Sequence, residues 1–301
     1  MSNLREIKKR ISSVSRSRQI TRTMEMVSTA KIARALNREM RSEPYRQAIT
    51  DVMLTVAADA SSNSPLLKNP DTYERALLIV INSDRGLAGG FNTQVVRAAE
   101  TRIEHYRRHG ATEVELITCG RKATEHFKHY PNVVMSVVGE SDNPTLQRAR
   151  EIADYILQGF AEGRFGRVDI IYYHARNRVD QVLRQERILP LDPDVLAAPR
   201  GPRTDDAGGP KRIALHFSYS PSANQVLDQL IPSYVLTVVH QALIDSAAAE
   251  QGARRKAMHS ATENAGNIIA DLTRTYNHVR QASITTELNE IVGGAAALED
   301  Y

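Results

Sequence analysis

Apolar positions divide the chain into three regimes. Near the amino terminus Leu4, Ile7, Ile11 and Val14 step by 3, 4 and 3. The pattern resumes with Ile20, Met24 and Val27, while Arg18 and Thr21 interrupt it. Near the carboxyl terminus Met258, Ala261, Ala265, Ile268 and Leu272 step by 3, 4, 3 and 4. A repeat alternating between three and four residues is the seam of a coiled coil, narrower than the apolar face of a helix in a globule. No proline precedes Pro44 and no glycine precedes Gly86, and between Asn224 and Ala296 Pro232 is the one proline. Pro44 and Pro232 are expected to kink or restart their helices. A helix over that second stretch would run roughly 100 Å at 1.5 Å per residue. A globule of this chain length is only roughly 50 Å across. A helix of that length needs a partner, and the other terminus supplies one.

Between Tyr73 and Phe217 the periodicity changes. Ala76–Ile81 is a continuous apolar run with the look of a buried strand, and Val114–Thr118, Val133–Val138 and Val168–Tyr173 follow it. Gln181–Leu189 predicts a fifth strand at a sheet edge. Helical stretches over Asn92–His109, Arg121–His129 and Leu146–Phe160 lie between the strands. Alternation of this kind predicts an open α/β layer, parallel at least in its first half. From Pro190 to Lys211 the composition turns to Pro, Gly, Asp and Arg, which reads as a flexible surface loop. The expected fold is therefore of the α+β or α/β class, with a long antiparallel two-helix coiled coil from both termini plus a small, open, Rossmann-like domain. The expected limits are 1–58 for the first helix, 73–217 for the α/β domain with its 190–211 loop, and 218–301 for the last helix.

Charge supports the pairing of the ends. The first 46 residues carry twelve Lys and Arg against four Asp and Glu, whereas from Phe217 onward there are five against nine. Opposite charge on two seam-bearing helices favours their association. A basic helix also fits a nucleic-acid binder, but apolar seam residues interleave the charges and no aromatic platform accompanies them. A membrane-surface helix is the remaining alternative, against which the narrow seam lacks Trp and Phe. The 301 residues are ordinary in composition, 42% hydrophobic and 25% charged. No run approaches the eighteen apolar residues of a membrane span, and the amino terminus does not read as a signal peptide. A lone cysteine, Cys119, leaves no internal disulfide and suits a reducing compartment.

Ser83–Asn92 joins the first strand to the next helix through Gly86, Gly89 and Gly90. A glycine turn before a helix can cradle a phosphate. The spacing fits neither the dinucleotide fingerprint nor the P-loop, and no Lys follows, so a tight packing turn is the preferred reading. His105 with His109 and His126 with His129 have metal-compatible spacing, yet no acidic or cysteine companion stands near either pair. No catalytic constellation stands out.

At both ends and at the turn the residues are specific. Leu4–Lys8 and Ile20–Lys31 resemble the first helix of the gamma subunit of F-type ATP synthases, and Ser83–Asn92 resembles that family's glycine turn. Glu250–Arg254, Ala257–Met258, Ala261–Asn264 and Arg280–Ala296 resemble its last helix, so the likeness spans essentially the whole chain. The resemblance implies the rotor shaft of a proton-translocating synthase, coupling ion flow to conformational change in a catalytic ring. It implies as partners three alpha and three beta subunits, the epsilon subunit and the ion-carrying c-ring of the membrane. No nucleic acid, cofactor, metal or catalytic residue of its own is implied, and the place is the cytoplasmic face of a bacterial cell membrane, held peripherally.

By that resemblance Met24, Arg280, Gln281, Thr285 and Glu287 contact beta subunits, and Ile291, Val292 and Leu298 belong to a greasy bearing tip. Arg85, Gly86, Ala88, Gly89 and Gly90 belong to a turn where the globular domain nears the ring. Two departures stand out. Ala88 replaces a cysteine often present in the turn, and 190–211 holds no cysteine pair, so the chloroplast-type disulfide switch has no residues to work with. A nucleotide-binding α/β protein using Gly86–Gly90 and a coiled-coil scaffold or nucleic-acid binder are the rival readings.

Overall fold

The computed structural model describes residues 2–59, 73–177, 180–191, 219–220 and 222–299. The 190–211 loop lies outside them except for its first two residues. The chain forms two compact units. One comprises Met1–Ala30 with Arg254–Tyr301, the other Lys31–Ala253. Helix α1 (Ser2–Asp59) and the last helix, α5 (Ala223–Glu299), contribute to both.

In the first unit α1 and α5 run antiparallel. Thr21 and Thr262 share a hydroxyl hydrogen bond of 2.8 Å, and Glu25 accepts from His259 at 3.0 Å. Arg18 lies beside Gly266, so the numbering falls on one helix as it rises on the other. The seam differs from the apolar pattern in the sequence. Ile20 and Val27 are exposed, at 60% and 51%. The sheltered stripe of α1 runs instead through Ile7, Ile11, Val14, Thr21, Glu25 and Ser28, with Arg18 in register but exposed. It continues as Ile32, Ala35, Glu39, Ser42, Arg46, Ile49, Met53 and Val56, an unbroken alternation of four and three. Thr21, which interrupts the apolar pattern, is thus a seam member, because position in the repeat, not side-chain polarity, decides which way a residue points, while Arg18 keeps the register and reaches into solvent. On α5 the same rule replaces the exposed Ile268 with Ile269, giving Met258, Thr262, Ala265, Ile269, Leu272, Tyr276, Val279 and Ser283. A repeat held to 3.5 residues supercoils two helices left-handedly.

In the second unit five strands form one sheet in the order β3-β2-β1-β4-β5. β1 (Arg75–Ile81), β2 (Glu113–Cys119), β3 (Val133–Val137) and β4 (Arg167–Ala175) are parallel, while β5 (Gln181–Leu189) runs antiparallel at the edge. Period-two alternation sends Leu77, Ile79 and Ile81 to one face and Ala76, Leu78 and Val80 to the other. α2 (Phe91–Arg108) and α3 (Arg121–Phe127) cover the second face. α4 (Leu146–Ala161) shares the first face with Ile49, Met53 and Val56 of α1 and with Leu227–Leu243 of α5. The two long helices are therefore part of the core of this unit.

Neither Pro44 nor Pro232 restarts its helix. Both are exposed, as are Met40 and Asp228 four residues earlier, so the carbonyl that loses its partner meets water.

Gly120 joins β2 to α3 at φ +89°, and a Cβ there would lie 2.3 Å from the Asn82 carbonyl oxygen. Gly110 has a similar φ of +93° but open space around it. Gly120→Ala should lower unfolding free energy by more than the roughly 1–3 kcal/mol of backbone strain alone, and Gly110→Ala by no more than that strain. Urea unfolding of both variants reads the difference; equal losses would show that the close approach to Asn82 does not matter.

Candidate functional site

The glycine turn follows the carboxyl end of β1, where an α/β sheet commonly holds ligands. Leu87 and Gly89 both take positive φ, 63° and 60°, which folds the turn tightly. Ser83 Oγ lies 2.6 Å from the Arg85 carbonyl and 2.7 Å from Asn92 Oδ1, and Asn92 Nδ2 donates to the same carbonyl. Ala88 is buried, whereas Arg85, Gly86, Gly89 and Gly90 are exposed. Gly90 is the N-cap of α2, and the amide of Gln94 donates to its carbonyl at 3.0 Å.

The residue that organises the turn is Asp84, which sequence reasoning passed over. Its Oδ1 accepts from the amides of Arg121 and Gly139, and its Oδ2 from the amide of Ser141, each at 2.9 Å. One carboxylate thereby ties together the carboxyl ends of three parallel strands. Burial alone would raise its pKa, but the three amides outweigh that and hold it below 3.8. Amides that could otherwise cradle a phosphate are already taken by the chain's own anion. That supports the packing-turn reading over the nucleotide-binding one.

The proposed beta-contact residues of α5 lie where helix pairing ends. The register set by Thr21 and His259 puts the start of α1 beside Gln281 and Ala282, and Ser283 is the last sheltered residue of α5 among those described, to Val292. Arg280 and Gln281 are exposed at that end, and Thr285 and Glu287 are exposed beyond it. Thr285 Oγ1 donates to the Gln281 carbonyl at 2.9 Å, so this hydroxyl serves its own helix. Ile284, Leu288, Ile291 and Val292 are 49–68% exposed and recur at i, i+4, i+7 and i+8, one face of a single helix. Ile284 and Leu288 were not singled out from sequence, though their spacing carries the signal. The side chain of Leu298 lies outside the described residues. Met24 is half-buried on α1 and adjoins the seam without belonging to it.

Elsewhere, Cys119 is buried, and desolvation pushes its thiol up to about 12, out of reach of thiolate chemistry at neutral pH. The two histidine pairs are surface features. The rings of His105 and His109 lie 4.0 Å apart at a 40° tilt, with His109 Nδ1 against the His105 carbonyl, and His126 faces Glu100 at 2.9 Å. A cluster of metal-ligand type forms instead from Glu39, His174 and Asp245. Burial, then the Asp245 carboxylate beside it, pushes Glu39 up to about 8.

Comparison with known proteins agrees with the geometry. The family model described as ATP synthase matches residues 3–298. The ATP synthase gamma chain of Streptomyces coelicolor is 36% identical over 302 residues, covering 99% of this chain and 96% of that one. Among solved structures, a chain of the Euglena gracilis mitochondrial ATP synthase in the OSCP/F1/c-ring assembly superposes with a TM-score of 0.65 at 19% identity, covering 99% of this chain and 95% of its own. A chain of the Tetrahymena thermophila mitochondrial ATP synthase central stalk and c-ring does so with a TM-score of 0.56 at 22% identity, covering 80% and 99%. These two share the fold.

Asp84→Ala should cost about 1–3 kcal/mol of stability at pH 7, since three amides lose their acceptor. Because the folded pKa is depressed, the carboxylate stabilises above pH 3.8 and the contribution is lost as pH falls through the depressed value. The gap between wild type and variant in urea unfolding should therefore narrow in acid; a gap constant down to pH 2 would refute the assignment.

Proposed function

The chain belongs to the ATP synthase gamma-chain family, and from that premise we propose how it works as the rotor shaft of the complex. The supporting observation is the end of α5: past Ser283 a single helix presents Ile284, Leu288, Ile291 and Val292 to its surroundings. An unpartnered apolar face of that kind calls for a protein sleeve, and a ring of three alpha and three beta subunits is the sleeve that the family provides. The epsilon subunit and the c-ring are the partners at the opposite end. The chain sits peripherally at the cytoplasmic face of a bacterial membrane; none of the described helices is long and apolar enough to cross one.

A closed three-fold ring has three equivalent sites unless something breaks its symmetry. Two unlike helices have no three-fold axis, so each beta subunit meets a different surface. Differential contact shifts each catalytic site among its conformations, and turning the shaft reassigns them. Linkage makes the coupling reciprocal, so nucleotide occupancy drives the shaft as the shaft drives the sites. The shaft supplies no catalytic residue. Arg280, Gln281, Thr285 and Glu287, with Met24 on α1, make the angle-dependent contacts, and Ile291, Val292 and Leu298 form the bearing. Arg85–Gly90 lies where the globular domain meets the ring. A few hydrogen bonds of about 0.5–1.5 kcal/mol each distinguish angular states without locking any of them.

Mixed with matching alpha and beta subunits, the chain should co-elute at one copy per three alpha–beta pairs and change the ATPase rate. A chain that stays alone and leaves the rate untouched would reduce the likeness to fold without role. In the reconstituted complex Arg280→Ala with Gln281→Ala should leave assembly intact and lower ATP-driven ion pumping several-fold. Unchanged pumping and ATPase rates would remove these two residues from the contact set.

A further inference from the structure

We propose that Glu39, His174 and Asp245 form a binding site for one divalent transition-metal ion of the zinc class, clamping α1, β4 and α5 within the second unit. The three residues come from three elements, and their ligand atoms lie within 4.8 Å of one another. His174 Nδ1 is 2.8 Å from Asp245 Oδ2. Ligand atoms about 2.1 Å from a tetrahedral ion lie about 3.4 Å apart, so the hydrogen-bonded pair opens by about half an ångström and the wider pairs close by up to about 1.4 Å to complete the set. One imidazole with two carboxylates suits zinc or manganese better than magnesium, which prefers oxygen and water.

Charge around the cluster points the same way. The cavity of about 220 Å³ that the cluster lines also holds three arginines, each with an ion-pair partner outside the cluster, although Arg184 also acts on Glu39 and Arg46 on Asp245. Arg46 Nε is 2.7 Å from Glu43, Arg176 is 3.6 Å from Asp180, and Arg184 is 3.6 Å from Glu186. Among the described residues no Lys or Arg forms an ion pair with Glu39 or Asp245. Glu39 and Asp245, hydrogen-bonded to each other, face one imidazole beside a cavity large enough for the waters that would complete a coordination shell, and a bound cation would take the place of the proton they share. Asp245 is only 3% exposed and Gln241 5%, so the anionic donor is buried rather than part of a solvated acidic face. Gln241 Nε2 donates to Asp245 Oδ1 at 3.2 Å and its Oε1 accepts from Ser42 at 2.6 Å, which fixes the carboxylate as orienting partners fix metal ligands. Glu39 itself occupies a seam position of α1, where an apolar residue would pack.

The test is zinc titration of the tag-free full-length chain after chelator treatment, followed by calorimetry and thermal unfolding. One ion per chain should bind and raise Tm. Glu39→Gln and Asp245→Asn should each weaken binding by at least ~10-fold, and Gln241→Leu by about 10-fold, while His105→Gln with His109→Gln leaves it unchanged. Cobalt binding to the wild-type chain, read by visible absorption and reversed by zinc, reports the site without reliance on a variant. No stoichiometric binding would overturn the proposal. So would binding that survives Glu39→Gln and Asp245→Asn, or binding lost with the His105–His109 pair. A chain whose stability follows pH but ignores zinc would make the cluster a proton-sharing pair instead.

Discussion

Everything in this molecule depends on two terminal helices each meeting two different burial demands along one continuous element. In the sheet-bearing unit, α5 from Gln241 to Gly252 is buried on every side, as a helix inside a core must be. From Met258 onward the same helix shelters only a stripe, one residue in every three or four. The alanines at 247–249 let α5 be enclosed, and Thr262 and Ala265 let α1 come close. Without these helices the face of the sheet carrying Leu77, Ile79 and Ile81 would lose the cover that Ile49, Met53, Leu227 and Val235 supply. The helix pair and the sheet therefore cannot be separated into independent folding decisions.

Polar residues in the seam are the second consequence. Thr21 with Thr262 and Glu25 with His259 replace apolar contacts by hydrogen bonds across the pair. Such contacts add little net stability, because each replaces bonds to water. They do specify register, since a slip by one repeat leaves the donors and acceptors unmatched. A shaft that transmits torque has to keep its two strands from sliding, and register-specific polar layers serve that purpose better than interchangeable methyl groups. The Asp84 hub plays the corresponding part at the sheet: one anion holding the carboxyl ends of three parallel strands.

Much of this was legible in the sequence. The three-and-four stepping of Leu4, Ile7, Ile11 and Val14 and of Met258, Ala265 and Leu272 announces the pair, and the apolar run at Ala76–Ile81 announces the central strand. What failed was the assumption that hydrophobic means inward: Ile20, Val27 and Ile268 attract attention while Thr21, Ser28 and Ile269 occupy the seam. A polar seam residue is invisible to a hydrophobicity pattern and shows only when the repeat is extended through it. Glu39, His174 and Asp245 were illegible for a different reason. Their positions are far apart in the chain, and only the convergence of two helices on β4 brings them together. The turn around Gly86 was readable as a turn, but that Asp84 satisfies the amides around it follows from β3 and α3 folding back onto it.

The exposed end of α5 shows why weak contacts suit the proposed role. If Ile284, Leu288, Ile291 and Val292 were held by a snug, directional interface, each angular state would be a deep well and turning would stall. Apolar side chains against a smooth sleeve lose little on rotation, because burial depends on area and not on direction. Directional bonds are then needed only where the angle is to be sensed, and the proposed contact residues Arg280, Gln281, Thr285 and Glu287 interleave with Ile284 and precede Leu288, Ile291 and Val292. On the proposed roles, sensing contacts stand before most of the bearing residues. The register puts Arg280 and Gln281 at the end of the described pairing and Thr285 and Glu287 beyond it. On that proposal the contacts that sense the angle straddle the end of the pairing, and the apolar residues beyond them turn among the three sites.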